Sequence, residues 1–251
     1  MQTYTNAAIT GASSGIGIEL ALLLAQEKTT LFLNARDETR LKKVQAEAQE
    51  FGSKAFVYAF DVCDEKACKA WCEELFKEPL DLLILNAGIS SGDDESEQKQ
   101  IQIAKTNVLG ITNLIFYTIN AMQKQEFKGK FKGQIVLVSS IASLLALPNA
   151  PTYSASKHFV SALCEALSLA HPEICFTCIC PGFIKTNLTK HLKLKMMEAN
   201  TASFQILNAI KAKKKKFIFP FHIALIAKLY AFLPFFIKRY FVRFLQKRAK
   251  L

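Results

Sequence analysis

Tyr153 and Lys157 stand four residues apart at the start of a predicted helix, so their side chains share one face. A tyrosine at its ordinary pKa of about 10 carries protons poorly near neutrality. A lysine one turn away would stabilise the phenolate and bring that value down. Ser140 lies just past the end of a predicted strand, where its hydroxyl is placed to donate to a substrate oxygen. Taken singly, each residue has an ordinary reading as a capping serine, a half-buried tyrosine or a surface lysine. Taken together they specify proton transfer to or from an oxygen that a neighbouring hydroxyl holds.

A second group of residues has the chemistry of a phosphate cradle. The segment Thr10-Gly11-Ala12-Ser13-Ser14-Gly15-Ile16-Gly17 sits where a predicted strand turns into a helix. Glycines at Gly11, Gly15 and Gly17 allow the backbone to approach a pyrophosphate. Ser13, Ser14 and Ile16 complete the turn, and the helix offers its free N–H groups and positive end to the anion. The spacing G-x-x-x-G-x-G differs from G-x-G-x-x-G, and a plain tight turn is its rival. Strand two ends in Asn34-Ala35-Arg36, where a dinucleotide fold reads the adenosine ribose. An acid there would favour NAD. Arg36 instead suits a 2′-phosphate and favours NADP, with NAD the alternative. The competing reading pairs Arg36 with the adjacent Asp37.

The elements that must position these residues follow from hydrophobic periodicity. Apolar runs at Asn6–Thr10, Thr30–Leu33, Ala55–Ala59, Leu82–Leu85, Ile135–Val138, Ile174–Cys180 and Lys215–Phe219 read as strands. Helical patterns cover Ile16–Glu27, Glu38–Glu50, Glu65–Lys77, roughly Ile101–Gln125, and Thr152–Ala170. Continuous apolar strands alternating with helices predict an α/β fold with a doubly wound, Rossmann-like parallel sheet of about seven strands. No internal repeat or linker divides it. Ser90–Gln100 reads as an acidic loop, and Thr186–Ser203 as a loop able to act as a lid.

With these motifs in order, the chain resembles the short-chain dehydrogenase/reductase family over residues 6–219 at least. The matching segments are Thr10–Gly17, Asp61-Val62, Asn86-Ala87-Gly88, Asn107-Val108-Leu109-Gly110, Ser139-Ser140, Tyr153-Ser154-Ala155-Ser156-Lys157, and Pro181-Gly182 followed by Ile184 and Thr186. The resemblance implies that Asp61 and Val62 border an adenine and that Asn86, Ala87 and Gly88 lie beside a cofactor ribose. It sets Ile184 and Thr186, after Pro181 and Gly182, against a nicotinamide carboxamide. It implies hydride exchange between a nicotinamide and a carbonyl or secondary alcohol. Tyr153 would be the acid/base, Ser140 the holder of the substrate oxygen, and Lys157 the group that tunes Tyr153 and holds the nicotinamide ribose. Asn107 would anchor a water that relays protons to solvent through Lys157. Family spacing prefers Ser140 over Ser139. Many NADP-preferring relatives carry a base where Ser14 stands, which leaves Arg36 as the main support for NADP. A non-catalytic NADP-binding scaffold would need none of Asn107, Ser140, Tyr153 and Lys157.

The 251 residues suit one domain over 1–219 and a C-terminal extension over 220–251. The net charge of +11 is divided unevenly. Residues 190–251 carry fifteen Lys or Arg and one acid, Glu198, for +14; the first 189 residues total −3. That asymmetry points to one local anionic partner and not to nucleic acid. Phe236, Ile237, Tyr240, Phe241, Phe244 and Leu245 recur on one side of a helical pattern, with Arg239, Arg243, Lys247 and Lys250 on the other. With Lys213–Lys216 nearby, this predicts a helix lying on an anionic membrane surface. The substrate would then be hydrophobic or lipid-like. The alternatives are a cover for the fold's own core, or a homo-oligomer interface in a soluble reductase. Pro220, His222, Lys228 and Pro234 argue against Phe217–Ile237 crossing a membrane. The seven cysteines show no metal-binding spacing: Cys68 and Cys72 share a helix face, and Cys175, Cys178 and Cys180 read as reduced, buried thiols. No metal site is expected. With a polar start over Met1–Asn6, the expected location is cytoplasmic, peripheral on the membrane face.

Overall fold

The computed structural model describes residues 4–92, 94–126, 129–190 and 196–240. Seven strands form one parallel sheet: β1 (Asn6–Thr10), β2 (Thr30–Ala35), β3 (Ala55–Ala59), β4 (Leu82–Leu85), β5 (Gln134–Val138), β6 (Cys175–Pro181) and β9 (Lys216–Phe219). Their order is β3-β2-β1-β4-β5-β6-β9, with every neighbouring pair parallel. The order reverses between β1 and β4, so the crevice at their carboxyl ends is where such a sheet receives a ligand.

The strands are apolar on both sides because helices cover both faces. On one face α1 (Ile16–Gln26), α2 (Glu38–Glu50) and α7 (Ala199–Lys211) bury Leu20, Leu24, Leu41 and Ile206 against Ile9, Leu33 and Ile84. On the other, α3 (Glu65–Leu75), α5 (Gly110–Lys124) and α6 (Pro151–Ala170) bury Trp71, Ile115 and Val160 against Leu83, Ile135 and Cys178. Ala8 and Leu83 face the second core while Ile9 and Ile84 face the first, as the two-residue period of a strand requires.

Asp37 caps α2 by accepting from the Arg40 N–H at 3.0 Å, and Asp64 caps α3 through the Ala67 N–H at 3.0 Å. Ser96 does the same for α4 (Glu97–Ala104), whose presence shortens the expected Ser90–Gln100 loop. The single helix expected over Ile101–Gln125 is instead α4, a π-helical turn at Lys105–Leu109, and α5. Strand two runs two residues further than expected, to Ala35, which carries Asn34 into the sheet.

The stretch expected as a loop over Thr186–Ser203 contains a short ladder of β7 (Ile184–Lys185) with β8 (Met197–Glu198). The helix α7, unforeseen in the sequence, follows at Ala199. Its apolar signal is Ala202, Ile206 and Ile210, one helical turn apart, which pack on α1. A Lys211–Glu27 ion pair joins the two helices. Residues 191–195 of the expected lid lie outside the described residues.

After β9 and Pro220 the chain forms α8 (Phe221–Phe232), and residues 235–240 are helical again. Ala224, Ala227 and Tyr230, spaced at three residues, are the buried side of α8. Phe241, Arg243, Phe244, Leu245, Lys247 and Lys250 of the expected amphipathic pattern lie outside the described residues.

Candidate active site

The turn after β1 leaves the helix that follows it uncapped. Gly15 occupies the N-cap of α1 at φ 53°, a left-handed conformation that a side chain would strain, and no side chain accepts from the first turn. By contrast α2, α3 and α4 are each capped by a side-chain oxygen. The free N–H groups of α1 therefore remain available to an anion. The glycines are needed for close packing as well. A Cβ on Gly11 would come within 2.9 Å of the Ala87 Cα, and one on Gly17 within 2.2 Å of the Gly11 carbonyl oxygen. Thr10 Oγ1 accepts from the N–H groups of Asn86 and Ala87, each at 3.0 Å. Asn86 Nδ2 donates to the Thr10 and Gly11 carbonyls at 3.2 Å. The Asn86 amide thus fastens the glycine turn across the switch point between β1 and β4. Asn86, Ala87 and Gly88 all line the cleft.

Across the cleft, the ends of β5 and β6 and the start of α6 bring the candidate catalytic groups together. Tyr153 and Ser140 both line the cleft, and Ser140 Oγ is held by the Ala142 N–H, from which it accepts at 3.1 Å. The cleft is lined by Gly11, Ser14, Gly15, Ile16, Ser140, Tyr153, Lys157, Pro181, Gly182, Ile184 and Thr186, among others. Ser139, one residue before Ser140, turns inward: its Oγ donates to the Lys157 carbonyl at 2.9 Å and meets Ser161 Oγ at 3.0 Å. Both serines border the cleft just past β5, but the Ser139 hydroxyl is spent on α6. Ser154 Oγ donates to the Ala142 carbonyl at 3.1 Å and to the Leu145 carbonyl, so the loop after Ser140 is tied to α6.

Lys157 is buried, and its ammonium donates to the Val138 carbonyl at 3.0 Å. Burial brings its pKa down to about 8. The Tyr153 phenol is pushed above its ordinary value by desolvation, with the Ser140 hydroxyl acting in the opposite direction. This differs from the expectation that Lys157 lowers it. The ammonium lies 5.7 Å from the centre of the tyrosine ring and spends a proton on Val138, so desolvation prevails.

Asn107 sits in the π-helical turn, fully buried. Its Oδ1 accepts from the Ile89 N–H at 2.8 Å, while Nδ2 donates to the Ile89 carbonyl at 2.9 Å and to Ser156 Oγ at 3.0 Å. Ser156 Oγ donates in turn to the Tyr153 carbonyl at 2.7 Å. The Asn107 side chain thus has both N–H groups taken and one lone pair of Oδ1 left. It holds the segment after β4 against the helix that carries Tyr153 and Lys157, which makes it a positioning residue. Ser156, Thr10 and Ser154 share this supporting work, and sequence reasoning assigned none of them a role. Their signal was only a hydroxyl within a matched motif or at its border.

Arg36 pairs with Asp61 at 3.6 Å, both half-exposed, and not with Asp37, which is taken up by the cap of α2 and a 3.2 Å contact with Arg40. The parallel neighbours β2 and β3 bring Arg36 and Asp61 to the same sheet edge. Val62 is buried and packs on Gly110, where a Cβ would come within 2.5 Å of Val62 Cγ2. Arg36, Asp61, Val62, Ser13, Gly17 and Asn107 stand outside the cleft lining, whereas Asn187, Leu188 and Thr189 of the expected lid loop belong to it, as does Val138, which the sequence did not single out. Thr189 Oγ1 holds that wall in place by accepting from the Thr186 N–H at 3.1 Å and donating to the Ile184 carbonyl at 2.5 Å. Among the described residues no cluster of His, Cys, Asp or Glu has the makings of a metal site.

Residues 5–196 match the family model for short chain dehydrogenases. The chain is 32% identical over 242 residues to an uncharacterized oxidoreductase of Myxococcus xanthus, covering 92% of this chain and 94% of the relative. It is 31% identical over 194 residues to a granaticin polyketide synthase putative ketoacyl reductase of Streptomyces violaceoruber, covering 74% and 70%. A solved short-chain dehydrogenase from Sphingobium yanoikuyae, in complex with NADPH, superposes with a TM-score of 0.78 at 24% identity, over 87% of this chain and 89% of that one. A Burkholderia phymatum relative solved with NAD gives 0.81 at 21% identity, over 90% and 92%.

Proposed function

The chain belongs to the short-chain dehydrogenase/reductase family, an NAD(P)-dependent oxidoreductase on CH–OH groups, and we propose that it works as an NADPH-dependent reductase of hydrophobic carbonyl compounds. The observation that carries the reading is the Ser140–Tyr153 hydroxyl pair on one wall of a cleft whose opposite wall is the uncapped start of α1.

The residues present fit a dinucleotide. The Gly11–Gly17 turn, with Ser13, Ser14 and Ile16, would take the pyrophosphate on free N–H groups. Arg36 would take a 2′-phosphate by exchanging its exposed contact with Asp61 for a charge-assisted one. Asp61 and Val62 would border the adenine, and Ala87 and Gly88 the ribose. Pro181, Gly182, Ile184 and Thr186 would flank the carboxamide. When bound, the cofactor supplies the hydride.

The chain's own groups handle the oxygen. Ser140 donates a hydrogen bond to the substrate carbonyl oxygen and polarises it. Tyr153 gives its phenolic proton to that oxygen as negative charge builds there, leaving an alcohol and a phenolate. The raised pKa suits this direction, because the phenol stays protonated at neutral pH and is a donor when the reaction begins. The Lys157 ammonium then steadies the phenolate until a proton returns from solvent. Leu188 on the cleft wall supports an apolar substrate, as do relatives named ketoacyl reductase and 11-beta-hydroxysteroid dehydrogenase-like.

Carbonyl compounds screened with NADPH, followed by cofactor absorbance, test the activity. Calorimetry on Arg36→Ala tests the cofactor. NADPH binding should weaken by roughly 1–3 kcal/mol, the scale of a charge-assisted contact, with NADH little changed. Equal losses for both cofactors would refute the NADP assignment.

A further inference from the structure

The chain's last described elements present an apolar face that its own core does not use. Phe221, Phe232 and Phe235 are each at least 80% exposed, and Leu225, Leu229 and Phe236 at least half. Among the described side chains of α8, Ala224, Ala227 and Tyr230 are buried, so one narrow side attaches the helix while Phe221, Leu225, Leu229 and Phe232 face outward. That arrangement rules out, for these side chains, the expectation that they cover the fold's own core. A helix apolar all round normally lies inside protein or lipid.

Charge selects the occupant. From Phe217 to Leu251 there are seven Lys or Arg and no Asp or Glu, and Lys213–Lys216 immediately precede them. A second copy docked on this face would bring two such segments together and pay their mutual repulsion. An anionic lipid surface complements both the charge and the apolar side chains. Among the described residues no helix is long and apolar enough to cross a membrane, and α8 has 12 residues.

We propose that α8 and the helix beginning at Phe235 seat the protein on an anionic membrane surface, in its plane, beside the catalytic cleft. The placement follows from contacts: α8 packs on the turn Ile141–Ser143 directly after Ser140, and Pro220 and Ile223 fill the space over Gly182 in the cleft wall. Resting on the reductase reading, this geometry gives a hydrophobic carbonyl dissolved in the bilayer a short path to Tyr153.

Co-sedimentation of the full-length chain with vesicles tests the seat without reference to turnover. The protein should pellet with phosphatidylcholine–phosphatidylglycerol vesicles at low salt, and several-fold less at high salt without reaching zero, because the apolar share is not screened. Arg239→Glu should weaken pelleting by about fivefold or more, since each basic residue near an anionic leaflet contributes on that scale. The double variant Phe232→Ser/Phe235→Ser should lose the salt-resistant share, yet keep the wild-type melting temperature and its rate on a small soluble carbonyl. Full-length protein that stays in the supernatant at low salt overturns the proposal. So does a double variant that pellets as well as wild type, or one that only converts a dimer to a monomer in sedimentation velocity. Pelleting without any carbonyl reduction would leave the membrane seat standing and defeat the reductase reading; reduction without pelleting would do the reverse.

Discussion

Removing the Tyr153 oxygen separates the proton from the hydride. Tyr153→Phe should bind NADPH as before and lose about a hundredfold to ten-thousandfold in turnover, the range for a positioned acid. Single-turnover absorbance and a binding titration measure the two halves; near-wild-type turnover would sink the mechanism. Lys157 governs the pH response. Its ammonium, held down to about 8, is lost as pH rises through that value, so kcat/KM for reduction should fall above about pH 8. Stability should move the other way. With the folded pKa below the ordinary 10.5, the unfolded chain holds the extra proton between those values, and unfolding free energy contributed by this group rises with pH across that window. In thermal melts from pH 7.5 to 10.5 the gap between wild type and Lys157→Met should widen in favour of wild type, on top of the fall that the raised Cys68, Cys72 and Cys178 thiols impose on both.

The glycine turn and the π-helical turn each place one wall of the cleft. In Gly17→Ala, backbone would meet backbone, since the added carbon lies 2.2 Å from the Gly11 oxygen. The start of α1 must then move, at about 1–3 kcal/mol of overpacking. A lower melting temperature together with weaker NADPH binding is expected; an unchanged affinity would mean that this turn does not hold the cofactor. Asn107→Ala frees both backbone groups of Ile89, which costs about 1–3 kcal/mol for buried groups left unpaired. If Asn107 only positions, its variant should lower kcat while the alkaline limb set by Lys157 keeps its midpoint. A shifted midpoint would instead assign Asn107 to the proton path. The π turn was not legible in the sequence, because Ala104–Leu109 reads as uninterrupted helix and only the bonds from Asn107 to Ile89 and Ser156 reward the wider turn.

The sheet gathers both walls from segments far apart in the chain, so occupancy of the cleft should stabilise the whole domain. NADPH at a hundred times its Kd would add about 2.7 kcal/mol. For a chain of this size that is a rise in Tm of about 5–10 °C. NADH at the same concentration should give a smaller shift, read by differential scanning fluorimetry. Equal shifts would argue against a role for Arg36 in choosing between them. The charge map belongs to this scale too: a body near neutrality and a strongly basic end are features of different surfaces, and the most exposed phenylalanines, Phe221, Phe232 and Phe235, belong to the latter.

Local rules were enough for much of this. Apolar runs bounded by glycine or polar turns located all seven sheet strands, because a strand covered on both faces must be apolar throughout. The Tyr153–Lys157 spacing put both groups on one helical face, and the run from Thr10 to Gly17 marked an uncapped helix start. Partners were another matter, since they come from strands and helices that meet only in the fold. Arg36 found Asp61 across the sheet and not its neighbour Asp37. Ser139 was set apart from Ser140 by its hydroxyl's bonds to Lys157 and Ser161 on α6. The raised Tyr153 pKa and the lowered Lys157 pKa are products of burial, which no spacing encodes. The helix α7 was hidden for a related reason: its apolar turn at Ala202, Ile206 and Ile210 acquires meaning only against α1, at the opposite end of the chain.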